Sequence, residues 1–140
     1  TIKVAWNNSA FEGLVSSETS YGEMKIVTKD FNDIIDMGEA ELKIGFDGYT
    51  EFGLELPEWY KNKEYEFVYK FQDVTAMLKA YSSYVSLAAI SRETGINRAL
   101  LSHYANGLKV PRNKQQKIIV AGLHRIGALL SKCTIDDERK

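Results

Sequence analysis

The sequence predicts an α+β chain: a small antiparallel sheet with one covering helix, followed by an all-helical domain. Stretches before about residue 72 alternate polar and apolar residues, as half-buried strands do, whereas later apolar residues recur every three to four positions, as in helices. The charge divides at the same place. Residues 1–70 carry seven Lys against four Asp and ten Glu, a net charge of −7, and residues 71–140 carry a net charge of +6. We therefore expect domains over residues 1–72 and 73–134 and a polar tail over residues 135–140.

Composition limits the class of protein. The 140 residues are 44% hydrophobic and 26% charged, which is typical of globular rather than disordered chains. Cys133 is the only cysteine, so an intramolecular disulfide is excluded and a reducing compartment is favoured. No apolar run approaches the roughly 20 residues of a membrane helix, and no basic-then-apolar leader precedes the fold. We expect a cytoplasmic protein with no membrane partner.

Three short strands are predicted at the beginning of the chain. Residues 1–6 alternate polar and apolar side chains, residues 7–9 (Asn-Asn-Ser) make a turn, and residues 10–17 complete a hairpin. Residues 20–22 break the chain, and residues 23–27 are rich in strand formers. A third antiparallel strand is therefore expected there.

The period changes to that of a helix after Thr28. The spacing of the apolar residues predicts a helix of about 15–18 residues that Thr28 caps and that ends or breaks at the glycines of residues 45–48. Its predicted inward residues are Phe31, Ile34, Ile35, Met37 or Gly38, and Leu42. Its outward face is predicted to be acidic, through Asp33, Asp36, Glu39 and Glu41.

The next segment returns to the strand period. Residues 58–63 are interpreted as a turn with anchoring aromatics. Residues 64–71 form the clearest strand pattern in the chain, because alternate positions are aromatic. This strand could lie at the edge of the sheet, and an edge position makes the strand prediction less strong. The alternating residues are Tyr65, Phe67, Tyr69 and Phe71.

Two short helices joined by a tight turn are predicted within residues 86–112. Ser86 can cap a helix over residues 87–93, because its hydroxyl can accept a hydrogen bond from an unpaired backbone N–H. Gly95 supplies the left-handed conformation that lets the chain turn sharply.

Asn97 can cap the second of these helices, which runs to residue 106 and ends at Gly107. Ser91 is small, so the second helix can cross close to the first, and Leu101 can fill the angle between them. This pattern is typical of a helix-turn-helix unit, whose second helix enters the DNA major groove.

Helices are also predicted on both sides of this unit. Asp73 opens a helix over residues 74–84, and a long helix runs over residues 114–132. The predicted inward residues of the long helix are Ile118, Ile119, Leu123, Ile126, Leu129 and Leu130. His124 is expected to be packed among them, and Tyr104 is expected in the core rather than in contact with bases.

A plain helical hairpin in a core is the alternative to DNA binding. It explains the apolar residues Ile90, Ile96, Leu100, Leu101 and Leu108. It does not explain why the second helix exposes four small or polar residues together, and we predict that these read bases: Arg98, Ala99, Ser102 and His103. Arg98 can reach a guanine in bidentate fashion, and Ala99 can contact a thymine methyl. A surface histidine satisfied by water is the alternative for His103.

Phosphate contacts are predicted at the edges of the unit, from Ser86, Asn97, Lys109, Arg112 and Lys114. One such unit buries too little surface to bind specifically, so we expect a homodimer or higher homo-oligomer on half-sites about one DNA turn apart. Its seam is either the remaining apolar surface of the last helix or the strand over residues 64–71.

No catalytic or metal-binding pattern is apparent. The two histidines and the single cysteine have no recognised metal spacing, and phosphate-binding glycine loops and nucleophile elbows are absent from the sequence. A solvated helical face explains the acidic residues of the first half better than catalysis does. We expect no enzyme activity, metal or cofactor, with a divergent nuclease as the least favoured alternative.

Two family resemblances extend this interpretation. Residues 94–112, TGINRALLSHYANGLKVPR, resemble the lambda-repressor-like helix-turn-helix family. The segments YEFVYKFQDVTAMLKAYSSY and AGLHRIGALL, with the helix-turn-helix between them, resemble the HicB antitoxin family in its two-domain form. The N-terminal segment is less similar, since many members carry a Pro-Gly pair after the second strand where this chain has SETSYGE.

The HicB resemblance implies a partner and a function. It implies a partial ribonuclease-H-like sheet domain, without that enzyme's catalytic residues, that binds a small basic mRNA-cleaving toxin, HicA, and covers its active-site histidine. It also implies that the C-terminal domain represses the operon. We therefore expect an antitoxin and autorepressor. A repressor whose sheet domain senses a small ligand, with no toxin partner, is the alternative.

Overall fold

The structure is a computed structural model that describes residues 1–16 and 24–137 of the chain. It divides into two compact units, Thr1–Ala80 and Tyr81–Lys140. The boundary predicted near residue 72 differs from this division, because most of the next helix belongs to the unit that contains the sheet. The predicted break at residues 20–22 and the whole segment SETSYGE, residues 17–23, lie outside the described residues. Within the described part, no helix is long and apolar enough to cross a bilayer.

The first unit contains a four-stranded mixed sheet. Its strands are β1 (Ile2–Asn7), β2 (Ala10–Val15), β3 (Met24–Thr28) and β4 (Tyr69–Phe71), in the spatial order β3-β2-β1-β4. The first three strands pair antiparallel, as predicted, but β4 pairs parallel to β1, so the prediction of a purely antiparallel sheet is wrong. A helical crossover separates β3 from β4, and such a connection lets a strand return in parallel.

The β1–β2 hairpin turns through Asn8 and Ser9. Both have positive φ, 50° and 60°, which matches a two-residue turn of the type that follows the right-handed twist of paired strands. This turn sets the register of the hairpin, in which Ile2 lies opposite Val15 and Val4 opposite Gly13. The predicted hairpin is therefore present. The alternation predicted for residues 1–6 holds except at Ala5, which is buried although it lies on the opposite face from Ile2 and Val4.

A helix of 18 residues, α1 (Ile34–Glu51), packs on one face of this sheet, after a single 3-10 turn over Phe31–Asp33. A Cβ atom added at Gly38 would lie 3.5 Å from Ile2 Cδ1, which shows how closely helix and sheet approach. Between them lies an apolar layer whose buried members include Ile2, Val4, Phe11, Val15, Ile26, Phe31, Ile34, Leu42 and Phe46. The unit is therefore an α+β arrangement with one sheet face covered.

Both predicted ends of α1 are wrong. Thr28 does not cap it: Asp30 caps the preceding 3-10 turn, where its carboxylate accepts a hydrogen bond from the Asn32 N–H at 3.0 Å, and Asp33, at the N-cap position of α1 itself, makes no side-chain cap bond. The helix also continues through Gly45 and Gly48 to its end at Glu51. A helical glycine costs about 1 kcal/mol relative to alanine, and the burial of aromatic rings in the last two turns offsets that cost.

Those rings form an aromatic cluster around Phe46. The Phe46 ring lies 4.3 Å from Tyr60 and 5.6 Å from Trp59, measured between centroids. Trp59 and Tyr60 belong to a short helix, α2 (Glu58–Lys61), where the sequence analysis predicted a turn. Tyr65 joins the cluster at 5.8 Å from Trp59.

The strand predicted over residues 64–71 pairs only over its last three residues. The predicted alternation persists, because Tyr65, Phe67, Tyr69 and Phe71 are each less exposed than their neighbours. Only Tyr69–Phe71 forms a ladder with β1. The earlier residues pack against the rings of the aromatic cluster instead, so side-chain burial rather than backbone pairing explains the pattern. The segment lies at the sheet edge, as the sequence analysis considered.

The remaining helices are α3 (Val74–Tyr81), α4 (Leu87–Thr94), α5 (Arg98–Ala105) and α6 (Asn113–Ser131). Asp73 caps α3 as predicted, since its carboxylate accepts a hydrogen bond from the Ala76 N–H at 2.7 Å. The core of the second unit is small. Its buried apolar residues include Ile90, Ile96, Leu101, Tyr104 and Ile119.

Candidate nucleic-acid interface

The two predicted caps of the helix-turn-helix are present. The Ser86 hydroxyl accepts a hydrogen bond from the Ala89 N–H at 3.1 Å, and the Asn97 side-chain oxygen accepts one from the Ala99 N–H at 2.7 Å. Each bond satisfies a backbone donor that the first turn of a helix leaves unpaired. Both helices therefore begin where the sequence predicts.

The turn between α4 and α5 has the predicted geometry. Gly95 has φ of +77°, and its N–H donates to Ser91 O at 2.8 Å, which closes α4. The Ser91 hydroxyl then donates to Ile96 O at 2.6 Å. A small hydroxyl residue at position 91 therefore both permits the close approach of α5 and holds the turn. Leu101 is fully buried, as predicted.

The long helix α6 braces α4 from another side. A Cβ atom added at Gly122 would lie only 2.5 Å from Thr94 Cγ2, so the two helices are in close contact there. One turn further on, the Arg125 side chain donates through Nε to Glu93 Oε1 at 2.7 Å and through Nη2 to Glu93 O at 3.0 Å. The second bond satisfies a carbonyl near the end of α4. This bracing was not predicted, because it joins residues 32 positions apart in the sequence.

The four predicted base-reading residues occupy one side of α5. At 100° per residue, Arg98, Ala99, Ser102 and His103 span an arc of about 140°, and the buried Leu101 and Tyr104 occupy the opposite side. Arg98 and Ala99 are exposed, whereas Ser102 and His103 are half-buried. The exposed arc begins at the N-terminus of the helix, which is the part that approaches base edges in a helix-turn-helix.

The two half-buried residues have partly defined roles. Ser102 Oγ accepts a hydrogen bond from Asn106 Nδ2 at 3.4 Å, so it retains its own proton to donate. His103 Nδ1 is buried with no hydrogen-bond partner among the described residues. Because Nδ1 faces the protein, Nε2 is the ring nitrogen available to DNA.

The predicted phosphate contacts divide into two kinds. Ser86 and Asn97 use their side-chain oxygens as acceptors in the caps. The Ser86 hydroxyl proton, the Asn97 Nδ2 hydrogens and the other N–H groups of the first helical turns remain to donate to phosphates. Lys109, Arg112 and Lys114 are exposed. Arg112 is the N-cap residue of α6, but its side chain makes no cap bond. No side-chain cap therefore occupies the N–H groups of the first turn of α6.

Several burial predictions in this unit are wrong. Leu108, which the plain-hairpin alternative rather than the prediction placed in a core, is 72% exposed. His124, predicted to be packed, is exposed. His124 lies five residues after the buried Ile119, so it lies about 140° away around the helix. Leu129 and Leu130 are also exposed, because α4 has eight residues, about 12 Å, and cannot cover the 19 residues, about 28 Å, of α6.

Ile35, predicted to face inward on α1, is 43% exposed. The buried stripe of α1 has a four-residue spacing, with Ile34, Gly38 and Leu42 as members. Ile35 is one position away from that spacing and therefore faces outward. Of the predicted acidic face, Asp33, Asp36 and Glu39 are exposed and Glu41 is half-buried.

In the part of the chain that the structure describes, no three His, Cys, Asp or Glu residues gather as metal ligands would. Comparisons with protein-family models, with curated proteins and with solved structures find no match for this chain. The interpretation of the site therefore depends on its own geometry and charge.

Proposed function

We propose that the chain is the antitoxin of a toxin–antitoxin pair, in which the second unit binds operator DNA and represses and the first unit neutralises a small basic ribonuclease. The observation that carries the DNA-binding part is the arc of small and polar residues at the start of α5, directly after a capped, left-handed glycine turn. A plain core hairpin gives no reason for that arc to be free of large apolar residues.

Charge supports the same assignment. Residues 71–140 carry a net charge of +6, and Arg98, Lys109, Arg112 and Lys114 are all exposed on or next to the helix-turn-helix. Basic side chains beside a recognition helix neutralise phosphates and make binding salt-dependent. DNA binding in this proposal uses α5 for sequence and the flanking cations for affinity.

The toxin-binding part rests on the first unit's charge and on the HicB resemblance. Residues 30–66 contain eleven carboxylates against three lysines, and ten of the eleven carboxylates are exposed. Such a surface attracts a basic partner. The HicA-like identity of that partner and a partial ribonuclease-H-like relationship of the sheet unit are parts of the proposal that come from the resemblance.

Co-expression with the product of the adjacent gene tests the proposal. We expect that product to stop growth when expressed alone and the present chain to restore growth and co-purify with it. If the neighbouring gene product did not stop growth, or did not bind the present chain, the antitoxin assignment would be contradicted. A ligand-sensing repressor would then be favoured.

Variants separate the two activities. The double variant Asp36→Asn, Glu39→Gln is expected to weaken growth rescue while operator binding is retained. Arg98→Ala is expected to do the reverse. Asp136→Asn, Asp137→Asn is the matched control for charge, because it removes two exposed carboxylates from the other unit. If Asp36→Asn, Glu39→Gln rescued growth as well as that control does, the acidic surface would not be the toxin contact.

A further inference from the structure

The open face of the sheet carries a row of lysines that the register defines. Lys3 in β1 lies opposite Leu14 in β2, and Leu14 lies opposite Lys25 in β3. On the other side, Lys3 lies opposite Lys70 in β4. One cross-strand row, Lys25–Leu14–Lys3–Lys70, therefore spans all four strands. Its members alternate along each strand with residues of the face that α1 covers.

This row is electrostatically unfavourable in the isolated unit. Lys3 and Lys70 are directly opposite on neighbouring strands, about 4.8 Å apart, and like charges in that position destabilise a sheet. All three lysines are exposed, and none has an ion-pair partner among the described residues. The acidic residues of the unit are concentrated instead between residues 30 and 66.

Apolar side chains lie beside the lysines. Leu14 is half-buried within the row. The next row, Ala5–Glu12–Val27, begins at Ala5, which is 7% exposed, and ends at Val27, which is 53% exposed; between them the half-buried Glu12 carboxylate accepts a hydrogen bond from Asn7 Nδ2 at 3.2 Å. An exposed valine next to three exposed lysines, which outnumber the one carboxylate in these two rows, fits a segment that brings both carboxylates and apolar groups.

We propose that the open sheet face is a docking surface for an acidic, amphipathic segment of a second protein. Carboxylates of that segment lie along the lysine row, and its apolar side chains cover Leu14 and Val27. Charge complementarity selects the occupant, and it excludes the basic toxin of the proposed function, which three lysines would repel. The surface therefore serves a partner other than that toxin, and it does not depend on DNA binding.

Two other occupants fit the observations less well. Single-stranded nucleic acid is usually held by aromatic stacking, and the rows of this face contain no aromatic residue. A second copy offers the acidic outward face of α1, but α1 covers the opposite side of the same sheet. Docking between copies would therefore join two different surfaces, head to tail. Such a contact gives open chains of copies rather than a closed dimer.

Nuclear magnetic resonance on the full chain tests the proposal, with a synthetic helical peptide that carries Glu along both sides of a Leu stripe as the probe. We expect amide shift changes confined to β1–β4, in particular at Lys3, Leu14, Lys25 and Lys70, with affinity that falls as salt rises. A peptide with Gln in place of Glu is expected not to bind. No shift change on this face at millimolar peptide would overturn the proposal.

The triple variant Lys3→Gln, Lys25→Gln, Lys70→Gln is expected to bind the peptide about tenfold more weakly than the wild-type chain does. The matched control, Lys43→Gln, Lys61→Gln, Lys63→Gln, removes three lysines of the same unit outside the sheet and is expected to change affinity by less than about twofold. Equal effects of the two variants would refute the site. So would tighter binding of a single-stranded oligonucleotide to this face, or shift changes that follow protein concentration without peptide, which would identify a second copy as the occupant.

Thermal unfolding provides a second readout, because a docking role and a structural role for the lysines predict opposite changes in the unfolding midpoint. Because the row is self-repulsive, the sheet-face variant is expected to unfold about 1–4 °C higher than the wild-type chain. A lower midpoint would mean that these lysines support the fold, and it would also overturn the proposal.

Discussion

Arg98 and Lys109 are both exposed cations, and the proposed DNA binding assigns them different tasks because their positions differ. Arg98 is the first residue of α5, where it can reach base edges, whereas Lys109 lies in the loop after that helix. We predict that Arg98→Ala relaxes sequence preference, with a loss of about 1–3 kcal/mol of discrimination at one base pair. Binding-site selection from random duplex DNA measures that change.

Lys109→Ala is predicted to weaken binding to all duplexes equally and to reduce the slope of log K against log salt by about one. Binding isotherms at several salt concentrations measure the slope. If both variants bound operator and random DNA as the wild-type chain does, α5 would not be the recognition helix.

Tyr65 links the aromatic cluster to alkaline stability. Burial raises the pKa of Tyr65 above 10.0, and the nearby Glu39 and Tyr60 raise that pKa further. The folded chain therefore keeps the Tyr65 proton at a pH where the unfolded chain loses it. The stability linked to this residue is complete below pH 10 and is lost as pH rises through the folded pKa.

We predict that Tyr65→Phe makes the fall of unfolding free energy above about pH 10 shallower. Urea unfolding at a series of alkaline pH values measures the slope. Glu39→Gln should flatten it partly, because it removes one of the causes of the shift. An unchanged slope in both variants would contradict the assignment.

At the scale of elements, the contact of α4 with α6 depends on a missing side chain. A Cβ atom at Gly122 would lie 2.5 Å from Thr94 Cγ2. Thr94 cannot rotate away freely, since its hydroxyl donates to Ile90 O at 2.7 Å and accepts from the Ile96 N–H at 3.2 Å. We predict that Gly122→Ala lowers the unfolding free energy by about 1–3 kcal/mol, measured by urea unfolding.

Gly127→Ala is the matched control on the same helix, because nothing lies within 4 Å of its added Cβ. It is predicted to raise the unfolding free energy by about 0.5–1 kcal/mol, since alanine favours the helix. Equal stabilisation by both substitutions would show that α4 and α6 do not meet at Gly122.

Elements with local determinants were predictable from sequence, and elements with distant partners were not. The caps at Ser86 and Asn97 and the turn at Gly95 need only neighbouring residues, and all three were predicted. The parallel pairing of β4 with β1 joins residues more than 60 positions apart. The alternation of residues 64–71 was real, but periodicity reports burial, and burial against Trp59 produces the same pattern as a strand ladder.

At the scale of the whole molecule, α6 extends its apolar stripe beyond the core of the second unit. The stripe that begins at Ile119 continues to Leu129 and Leu130, which are 72% and 60% exposed. If the expected dimer forms there, Leu130→Glu should weaken self-association by about 1–3 kcal/mol without unfolding the chain. Ser131→Glu, at an exposed neighbouring position, is the control for charge.

Sedimentation at several protein concentrations measures that association. Operator binding gives an independent readout: the Leu130→Glu chain should lose more affinity for a site with two half-sites than for a single half-site. Equal loss on both sites, or unchanged association, would place the dimer seam elsewhere.

The sequence by itself determined the positions of α4 and α5, the residues available on α5 and the opposite charges of the two halves. The helix positions follow from cap chemistry and glycine conformation, which involve only residues close in sequence. The charges follow from composition, which does not depend on the fold. Only the tertiary structure decided that Lys3, Lys25 and Lys70 share one row of the sheet face within the acidic half. Strand register depends on pairing between distant segments, and the free energy of that pairing is not encoded in any one of them.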